Sequence, residues 1–217
     1  MNISDNLNAL LQSLPSHVTL VAVSKTKPLE DLKAVYNTGH RIFGENKVQE
    51  LVSKWEALPK DIQWHMIGHL QRNKVKYITP FVHLIHGVDS ERLLNEIDKQ
   101  AAKNNRKIPC LLQIHIAQES TKFGLSDSEL EKILSEKERY PNVHFKGLMG
   151  MASFTSNLQQ VNEEFAILKA LYDNAAAKME TFDTLSMGMS GDYELAIAQG
   201  STMIRVGSKI FGERNYS

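Results

Sequence analysis

Cysteine and net charge are the two things that this sequence most clearly lacks. One cysteine, Cys110, stands among 217 residues, which excludes a disulfide within the chain and favours a reducing compartment. Lysine plus arginine number 25, as do aspartate plus glutamate, so the formal net charge is zero. Nucleic acids and anionic membranes attract basic surfaces. We therefore expect neither as a partner, and we expect a cytoplasmic protein.

Long apolar runs and metal-binding motifs are also missing. No segment approaches the ~20 apolar residues that a transmembrane helix needs, and residues 1–14 are too polar for a secretory signal. The chain has no HExxH pattern, and His65 and His69 fall at a strand end and a turn rather than on a helix. We expect no metal site. Cys110, within a predicted strand, is expected to be buried and unreactive.

What the chain does contain is a regular alternation of strand and helix patterns. Short apolar segments are nearly all followed by segments of helical period. Residues 3–14 predict a leading helix, capped by Ser4 or Asp5. Ser126 and Glu129 have the spacing of a capping box. The predicted strands are residues 18–23, 41–44, 63–67, 82–86, 109–116, 144–149, 184–187 and 203–206.

Strict alternation predicts an α/β fold with parallel strands and crossover helices. Eight such units favour a (β/α)8 TIM barrel with an extra N-terminal helix, a fold that typically takes ~250 residues. An open doubly wound sheet is the alternative, but it wants a glycine-rich first turn, and residues 24–26 contain no glycine. Because no linker interrupts the chain, we expect residues 1–217 to form one domain, with 1–14 as its leading helix.

The first predicted strand is followed by a lysine. Functional groups of a barrel lie at the carboxyl ends of its strands, which is where Lys25 falls. An amine held there is partly desolvated, so its pKa falls unless it finds partners, and such an amine can form a Schiff base with a carbonyl ligand. From this stretch alone, a lysine that simply points to water is the alternative.

The loops after the last two strands have the composition of a phosphate site. Residues 186–191 read Ser-Met-Gly-Met-Ser-Gly, and residues 205–208 read Arg-Val-Gly-Ser. Glycines let backbone N–H groups approach an anion, and barrels often bind phosphate at these two loops. The serines Ser186, Ser190 and Ser208 add hydroxyl donors. The alternative is that the glycines only make tight turns.

Arg205 is a permanent cation in an otherwise apolar strand. We expect it in the barrel mouth or in an ion pair with Asp192 or Glu213. Four methionines near the predicted mouth either line an apolar pocket or only fill the core: Met149, Met151, Met187 and Met189. A Schiff-base lysine that faces a phosphate cradle has a natural ligand in pyridoxal phosphate, an aldehyde that carries a phosphate group.

Several motifs make the chain resemble the pyridoxal phosphate homeostasis proteins, single-domain relatives of the barrel half of alanine racemase. The motifs follow the family's order and cover nearly the whole chain. Met66 and His69 depart mildly from the family, in which an aromatic residue and a proline are common at these places. The matching segments are 21–28 (VAVSKTKP), 43–46 (FGEN), 64–74 (WHMIGHLQRNK), 119–124 (ESTKFG), 147–149 (GLM), 185–190 (LSMGMS) and 205–212 (RVGSKIFG).

The resemblance implies a role for each candidate residue. Lys25 resembles the lysine that forms the internal aldimine. Arg205 resembles the arginine near the pyridine nitrogen, which a nearby cation keeps unprotonated, and Asn46 would lie near the ring substituents. The residues that resemble phosphate ligands are Ser186, Ser190, Gly207 and Ser208.

The resemblance also implies a function. Racemisation in the two-domain relatives needs a tyrosine from a second domain, and this sequence stops at Ser217, soon after the last predicted strand. We therefore expect a monomeric carrier that holds pyridoxal phosphate on Lys25 for vitamin B6 and amino-acid homeostasis, with pyridoxal-phosphate-dependent apoenzymes as recipients. A slow amino-acid racemase or another aldimine-dependent enzyme is the alternative, and a cofactor-free phosphosugar enzyme is a third. Lys74 and Lys122 either help to hold or hand over the cofactor or are solvated surface charges.

Overall fold

Eight parallel strands close into a barrel in chain order. The computed structural model describes residues 2–117 and 123–212. Each strand pairs with the next and β8 pairs with β1, so the sheet has no open edge. The predicted (β/α)8 barrel is confirmed and the open doubly wound sheet is excluded. The strands are β1 Thr19–Val23, β2 Ile42–Glu45, β3 Gln63–Met66, β4 Leu84–Val88, β5 Ile108–Gln113, β6 Val143–Met149, β7 Thr184–Met189 and β8 Met203–Val206.

Helices surround the barrel and cover its outer face. Short 3-10 helices at Arg72–Lys74 and Lys137–Arg139 accompany two of them. The Ser126–Glu129 capping box is present. Within the described residues, no helix combines the length and the apolarity needed to cross a bilayer. The helices are α1 Ile3–Ser13, α2 Leu29–Asn37, α3 Val48–Ala57, α4 Val75–Ile78, α5 Glu91–Lys103, α6 Asp127–Ser135, α7 Leu158–Ala176, α8 Tyr193–Ala198 and α9 Ser208–Phe211.

The leading helix α1 is confirmed, but its cap is not the predicted one. Asn2 caps the helix, because its side chain accepts a hydrogen bond from the Asp5 backbone N–H at 2.9 Å. The predicted caps, Ser4 and Asp5, therefore lie inside the first turn. Further along the same helix, the Asn6 amide donates to the Ile210 carbonyl at 3.1 Å, which ties α1 to α9.

Seven of the eight strands differ from their predicted bounds at one end or both, and β4 and β5 show the physical reason. β4 is predicted at 82–86 but spans Leu84–Val88, because the Val82 N–H donates to the Ile78 carbonyl and closes the turn after α4. β5 is predicted to reach Ile116 but ends at Gln113. Ile114 beyond it forms only an isolated bridge, yet residues 114 and 116 stay buried. A buried apolar residue precedes β4, and buried apolar residues follow β5, so hydrophobicity alone misplaces the start of β4 and the end of β5.

The strands divide the core into two layers. Along β1, Leu20 and Ala22 join the large cluster between sheet and helices, whereas Val21 and Val23 join a smaller cluster inside the barrel. This alternation is what a strand buried on both faces requires. The inner layer is only partly apolar. Buried polar side chains also occupy inward positions on other strands, among them His65, His86, Ser186 and Arg205.

Candidate functional site

A cavity of about 410 Å³ opens at the carboxyl ends of the strands. This volume lies within the range of roughly 300–1,000 Å³ for small-molecule sites. Barrels place their functional groups at this end. Every predicted site residue except Ser186 is in the wall, which is formed by Val23, Lys25, Lys27, Asn46, Ile67, Met151, Phe154, Met189, Ser190, Gly191, Asp192, Arg205, Gly207, Ser208 and Gly212.

Lys25 enters this wall from the loop that follows β1, and it is half-buried there. The next residue, Thr26, has a φ of 65°, a left-handed conformation that β-branched residues rarely adopt. Its backbone N–H donates to the Glu50 carboxylate at 2.6 Å. The loop that carries the lysine is therefore held in a strained shape by a side chain of α3.

A buried ion cluster lies directly behind this loop, between the sheet and α3. The Lys54 ammonium donates to the Ser24 carbonyl at 2.7 Å, to Glu45 at 2.8 Å and to Glu50 at 2.7 Å. The Ser24 hydroxyl donates to the same Glu45 oxygen at 2.6 Å. Burial raises the pKa of Glu45 to about 7, although Lys54 acts against that shift. This cluster fixes the main chain immediately before Lys25.

Asn46 follows β2 and lies in the cavity wall, where Gly68 packs closely against its backbone. A Cβ added to Gly68 would meet the Asn46 carbonyl oxygen at 2.5 Å and its Cα at 2.8 Å. Only glycine allows this close approach, because any side chain at position 68 would push Asn46 away. The glycine after β3 therefore sets the position of the asparagine after β2.

Arg205 lies inside the barrel beneath the cavity and is 4% exposed. Its guanidinium donates to the Ser186 hydroxyl at 2.6 Å and to the Gly150 carbonyl at 3.1 Å. Burial lowers the pKa of Arg205 to about 10, and the charge of Asp192 partly offsets this. Among the described residues no carboxylate forms an ion pair with it; Glu213, the other predicted partner, lies outside them. The cation of this site therefore has neutral hydrogen-bond partners.

The two loops with phosphate-site composition meet at the cavity. The Gly207 N–H donates to the Ser190 hydroxyl at 3.2 Å, which joins the loop after β7 to the loop after β8. A Cβ on Gly207 would come within 3.0 Å of the Val23 carbonyl, so glycine lets this loop pack on the end of β1. Ser208 is an exposed member of the wall.

Ser186 is the predicted site residue that the cavity does not include. It is fully buried, and its hydroxyl lies between Arg205 at 2.6 Å and the His86 ring at 3.1 Å. This position fits support of the arginine rather than contact with a phosphate. Of the four methionines, Met151 and Met189 line the cavity, whereas Met149 and Met187 fill the core.

Two further residues, Lys27 and Asp192, also line the cavity. The sequence predicts no role for Lys27, and it predicts Asp192 only as a candidate ion-pair partner of Arg205. The Lys27 ammonium donates to the carbonyls of Phe211 at 2.9 Å and Gly212 at 3.2 Å. A signal for Lys27 exists in the sequence, since it follows Lys25 by two residues at a strand end. Lys74 is not in the wall and lies 5.7 Å from the Tyr77 ring, and Lys122 lies outside the described residues.

The chemistry of the wall suits a small anion with an electrophilic carbon. Three side chains that bear cations, Lys25, Lys27 and Arg205, face one carboxylate, Asp192. The described residues offer no group of three or more His, Cys, Asp or Glu side chains that could hold a metal ion. Cys110 is fully buried away from this end, and burial raises the pKa of its thiol.

Comparison with known proteins gives a consistent result. The family described as "Alanine racemase, N-terminal domain" matches residues 1–215. The pyridoxal phosphate homeostasis protein of Aquifex aeolicus is 41% identical over 199 residues, which are 91% of this chain and 87% of that protein.

Solved structures give the same family. PipY of Synechococcus elongatus PCC7942 is 33% identical and covers 97% of this chain and 100% of its own; its TM-scores are 0.92 without pyridoxal phosphate and 0.88 with it bound. Alanine racemase from E. faecalis shares the fold at 16% identity and a TM-score of 0.78, and the match covers 98% of this chain and 58% of that one. The chain therefore belongs to the pyridoxal phosphate homeostasis protein family, whose fold is that of the alanine racemase N-terminal domain.

Proposed function

We propose that this chain binds pyridoxal phosphate in the cavity and serves its homeostasis as a carrier rather than as an enzyme. The observation that carries the proposal is that one cavity brings together Lys25, from the loop after β1, and Arg205, Gly207 and Ser208, from the end of β8 and the turn that follows it. The names of its relatives support the same conclusion, as does the PipY structure with pyridoxal phosphate bound.

The residues fit the two ends of this ligand. Pyridoxal phosphate supplies an aldehyde, which forms a Schiff base with an amine by loss of water, and a phosphate. Lys25 is the amine that we assign to the aldehyde. The hydroxyls of Ser190 and Ser208 and the backbone near Gly207 are assigned to the phosphate. Both ends of the ligand thus have a counterpart in the same wall.

The remaining residues orient the ring. Arg205 reaches the cavity from below with two of its donors occupied by Ser186 and Gly150. Its other N–H groups are available to an acceptor such as a ring nitrogen. Asn46, held by Gly68, is assigned to the ring substituents. Ser186 takes part indirectly, as the oxygen on which Arg205 rests.

Four further features belong to the proposal. Residues 1–217 form one domain, and the protein acts as a monomer in the cytoplasm. Pyridoxal-phosphate-dependent apoenzymes receive the cofactor from it. The single, buried cysteine and the neutral net charge support the cytoplasmic location. Light scattering at micromolar concentration tests the monomer, and transfer of cofactor to an added apoenzyme tests delivery.

Borohydride reduction followed by peptide mass mapping tests the central assignment. One pyridoxyl group per chain, on the Lys25 peptide, is the expected result. Lys27→Ala is the matched control, since Lys27 shares the cavity wall and should leave the adduct in place. Lys25→Ala should abolish it. Adducts spread over surface lysines, or an undiminished adduct in Lys25→Ala, would overturn the assignment.

One observation favours the enzyme alternative: the amine of Lys27 and the carboxylate of Asp192 lie in the same cavity wall, where an enzyme would need an acid and a base. Cofactor-loaded protein should show no sustained interconversion of D- and L-amino acids. Turnover that persists over many cycles and disappears both in Lys25→Ala and in Asp192→Asn would replace the carrier by a catalyst. A protein that stays colourless with pyridoxal phosphate would instead favour the cofactor-free barrel.

A further inference from the structure

Four polar side chains form a continuous chain of hydrogen bonds through the interior of the barrel. The chain starts at Arg205 in the cavity wall and passes to Ser186 at 2.6 Å. It continues from Ser186 to His86 Nδ1 at 3.1 Å and from His86 Nε2 to His65 Nδ1 at 2.9 Å. The four residues come from four strands, β8, β7, β4 and β3, and all are buried.

The direction of this chain follows from chemistry. A guanidinium only donates hydrogen bonds, so the Ser186 oxygen must accept from Arg205. The hydroxyl proton of Ser186 then has one remaining partner among the described residues, His86 Nδ1. That nitrogen must accept, so the proton of the neutral His86 ring is on Nε2.

The second histidine, His65, has the same tautomer as His86. His86 Nε2–H donates to His65 Nδ1, so the proton of the neutral His65 ring is also on Nε2. Burial keeps both rings neutral, since it lowers the pKa of His65 to about 3 and that of His86 well below its usual range. His65 Nε2 is buried and has no partner among the described atoms. His65 also lines a second cavity of about 360 Å³ at the amino end of the barrel.

We propose that His86 and His65 are positioning residues for Arg205. In this chain of hydrogen bonds every donor points from the cofactor cavity towards the amino end of the barrel, and the chain of hydrogen bonds holds the guanidinium under the cavity. Arg205 itself requires Ser186 to accept, and His86 engages the only hydroxyl proton of Ser186, which fixes the orientation of the hydroxyl. The guanidinium then stays anchored below, with its free N–H groups left for an acceptor in the cavity.

Side-chain ¹⁵N NMR of the cofactor-free protein tests the direction of the chain. Both His65 and His86 should carry their proton on Nε2. In Arg205→Met, residue 205 no longer donates a hydrogen bond to Ser186, so the Ser186 oxygen is free to accept from His86. Part of the His86 population should therefore move its proton to Nδ1. A proton on Nδ1 of either ring in the unaltered protein would overturn the inference, as would unchanged tautomers in Arg205→Met.

Release of bound pyridoxal phosphate tests the positioning role, a part that rests on the proposed function. His86→Leu keeps the bulk but removes both hydrogen bonds, so release should be about threefold to tenfold faster, the effect of one hydrogen bond. His86→Gln offers an amide that can accept from Ser186 and donate to His65, and it should restore most of the difference. His83→Leu is the matched control, because the His83 ring stacks on His65 at 5.6 Å outside the chain.

Ser186→Ala provides a second variant if His86→Leu does not fold. It cuts the link between Arg205 and His86 without adding bulk, and it should also speed release. Unchanged release in both variants, or equal acceleration in His83→Leu, would overturn the positioning role. Because the NMR test needs no cofactor, a failure of the proposed function would leave its result standing and the two failures can be told apart.

Discussion

Lys54 and Arg205 are two buried cations that the fold surrounds in opposite ways. Lys54 lies outside the sheet, is 5% exposed, and donates to the carboxylates of Glu45 and Glu50. Arg205 lies inside the barrel, is 4% exposed, and donates to neutral oxygens of Ser186 and Gly150. Carboxylates cancel a charge locally, whereas neutral oxygens fix its position and leave its field in place. We infer that Lys54 holds the structure, whereas Arg205, under the proposed function, keeps its charge for an anion or a ring nitrogen in the cavity.

The largest effect should come from Lys54→Met. It leaves Glu45 buried without a cation, so we expect the free energy of unfolding to fall by about 3–5 kcal/mol. Urea denaturation measures it. Lys169→Met is the matched control, because Lys169 also pairs with an acidic residue four positions away, Asp173, but in solvent; it should cost only about 0.3–0.5 kcal/mol.

A double variant separates the charge from the packing at the same place. In Glu45→Leu with Lys54→Met, no buried charge is left unpaired, so most of the lost stability should return. If Lys54→Met alone costs no more than Lys169→Met, the ion cluster does not hold the structure and the comparison with Arg205 fails.

The pH dependence of stability should separate the two regions by sign. His65 and His86 have folded-state pKa values below the unfolded value of about 6.5, so their contribution is complete above that pH and is lost as the pH falls. Each histidine contributes up to about 1.4 kcal/mol per pH unit, or about 2 kcal/mol between pH 6.5 and 5. Glu45 acts in the opposite sense, because its raised pKa of about 7 favours the fold at low pH and that contribution is lost as the pH rises from about 4.5 to 7.

Unfolding free energies at several values of pH from 5 to 7.5 measure this difference. His86→Gln should flatten the loss at acid pH by one histidine's share, and Glu45→Gln should steepen it. Parallel curves for the unaltered protein and His86→Gln would show that the buried ring does not stay neutral in the fold.

Arg205→Met should change stability much less than Lys54→Met. The substitution removes the two hydrogen bonds that the Arg205 cation donates to Ser186 and Gly150, but it also removes the cost of burying a cation that has no carboxylate partner within the described residues. We expect these effects to offset each other to within about 1.5 kcal/mol. Affinity for pyridoxal phosphate should nevertheless fall by more than about tenfold, the equivalent of one charge-assisted hydrogen bond. Calorimetric titration and urea denaturation of the same sample distinguish this result from simple unfolding.

The smallest effect should come from Thr26→Gly, which relieves the left-handed backbone beside Lys25. We expect stability to rise by up to about 1 kcal/mol, because the steric cost for a non-glycine residue disappears while chain entropy offsets part of the gain. Asn105→Gly, at the other described non-glycine residue with positive φ, is the control and should change less, since asparagine tolerates this conformation. A loss of stability in Thr26→Gly would show that the residue is not strained.

The sequence predicted the barrel because buried strands and amphipathic helices leave different periods. It also predicted that Lys25, Asn46 and Ser208 lie at one end of the barrel, because each falls within two residues of a strand end. It could not predict what lies behind them. Lys54 has the local pattern of a solvated helix lysine, and nothing local shows that it meets Ser24 thirty residues away. His86 and Ser186 are 100 residues apart, and only barrel closure brings them together.

The pairing of β1 with β8 also decides when the protein becomes able to bind. Val21 in the first strand lies beside Arg205 in the last, so one side of the cavity is synthesised early and the other side late. A nascent chain that has emerged only as far as β7 carries Lys25 but none of Arg205, Gly207 and Ser208. Contacts of such long sequence separation form late in folding. The cofactor should therefore bind only after synthesis of the last strand, and its uptake would report that the barrel has closed.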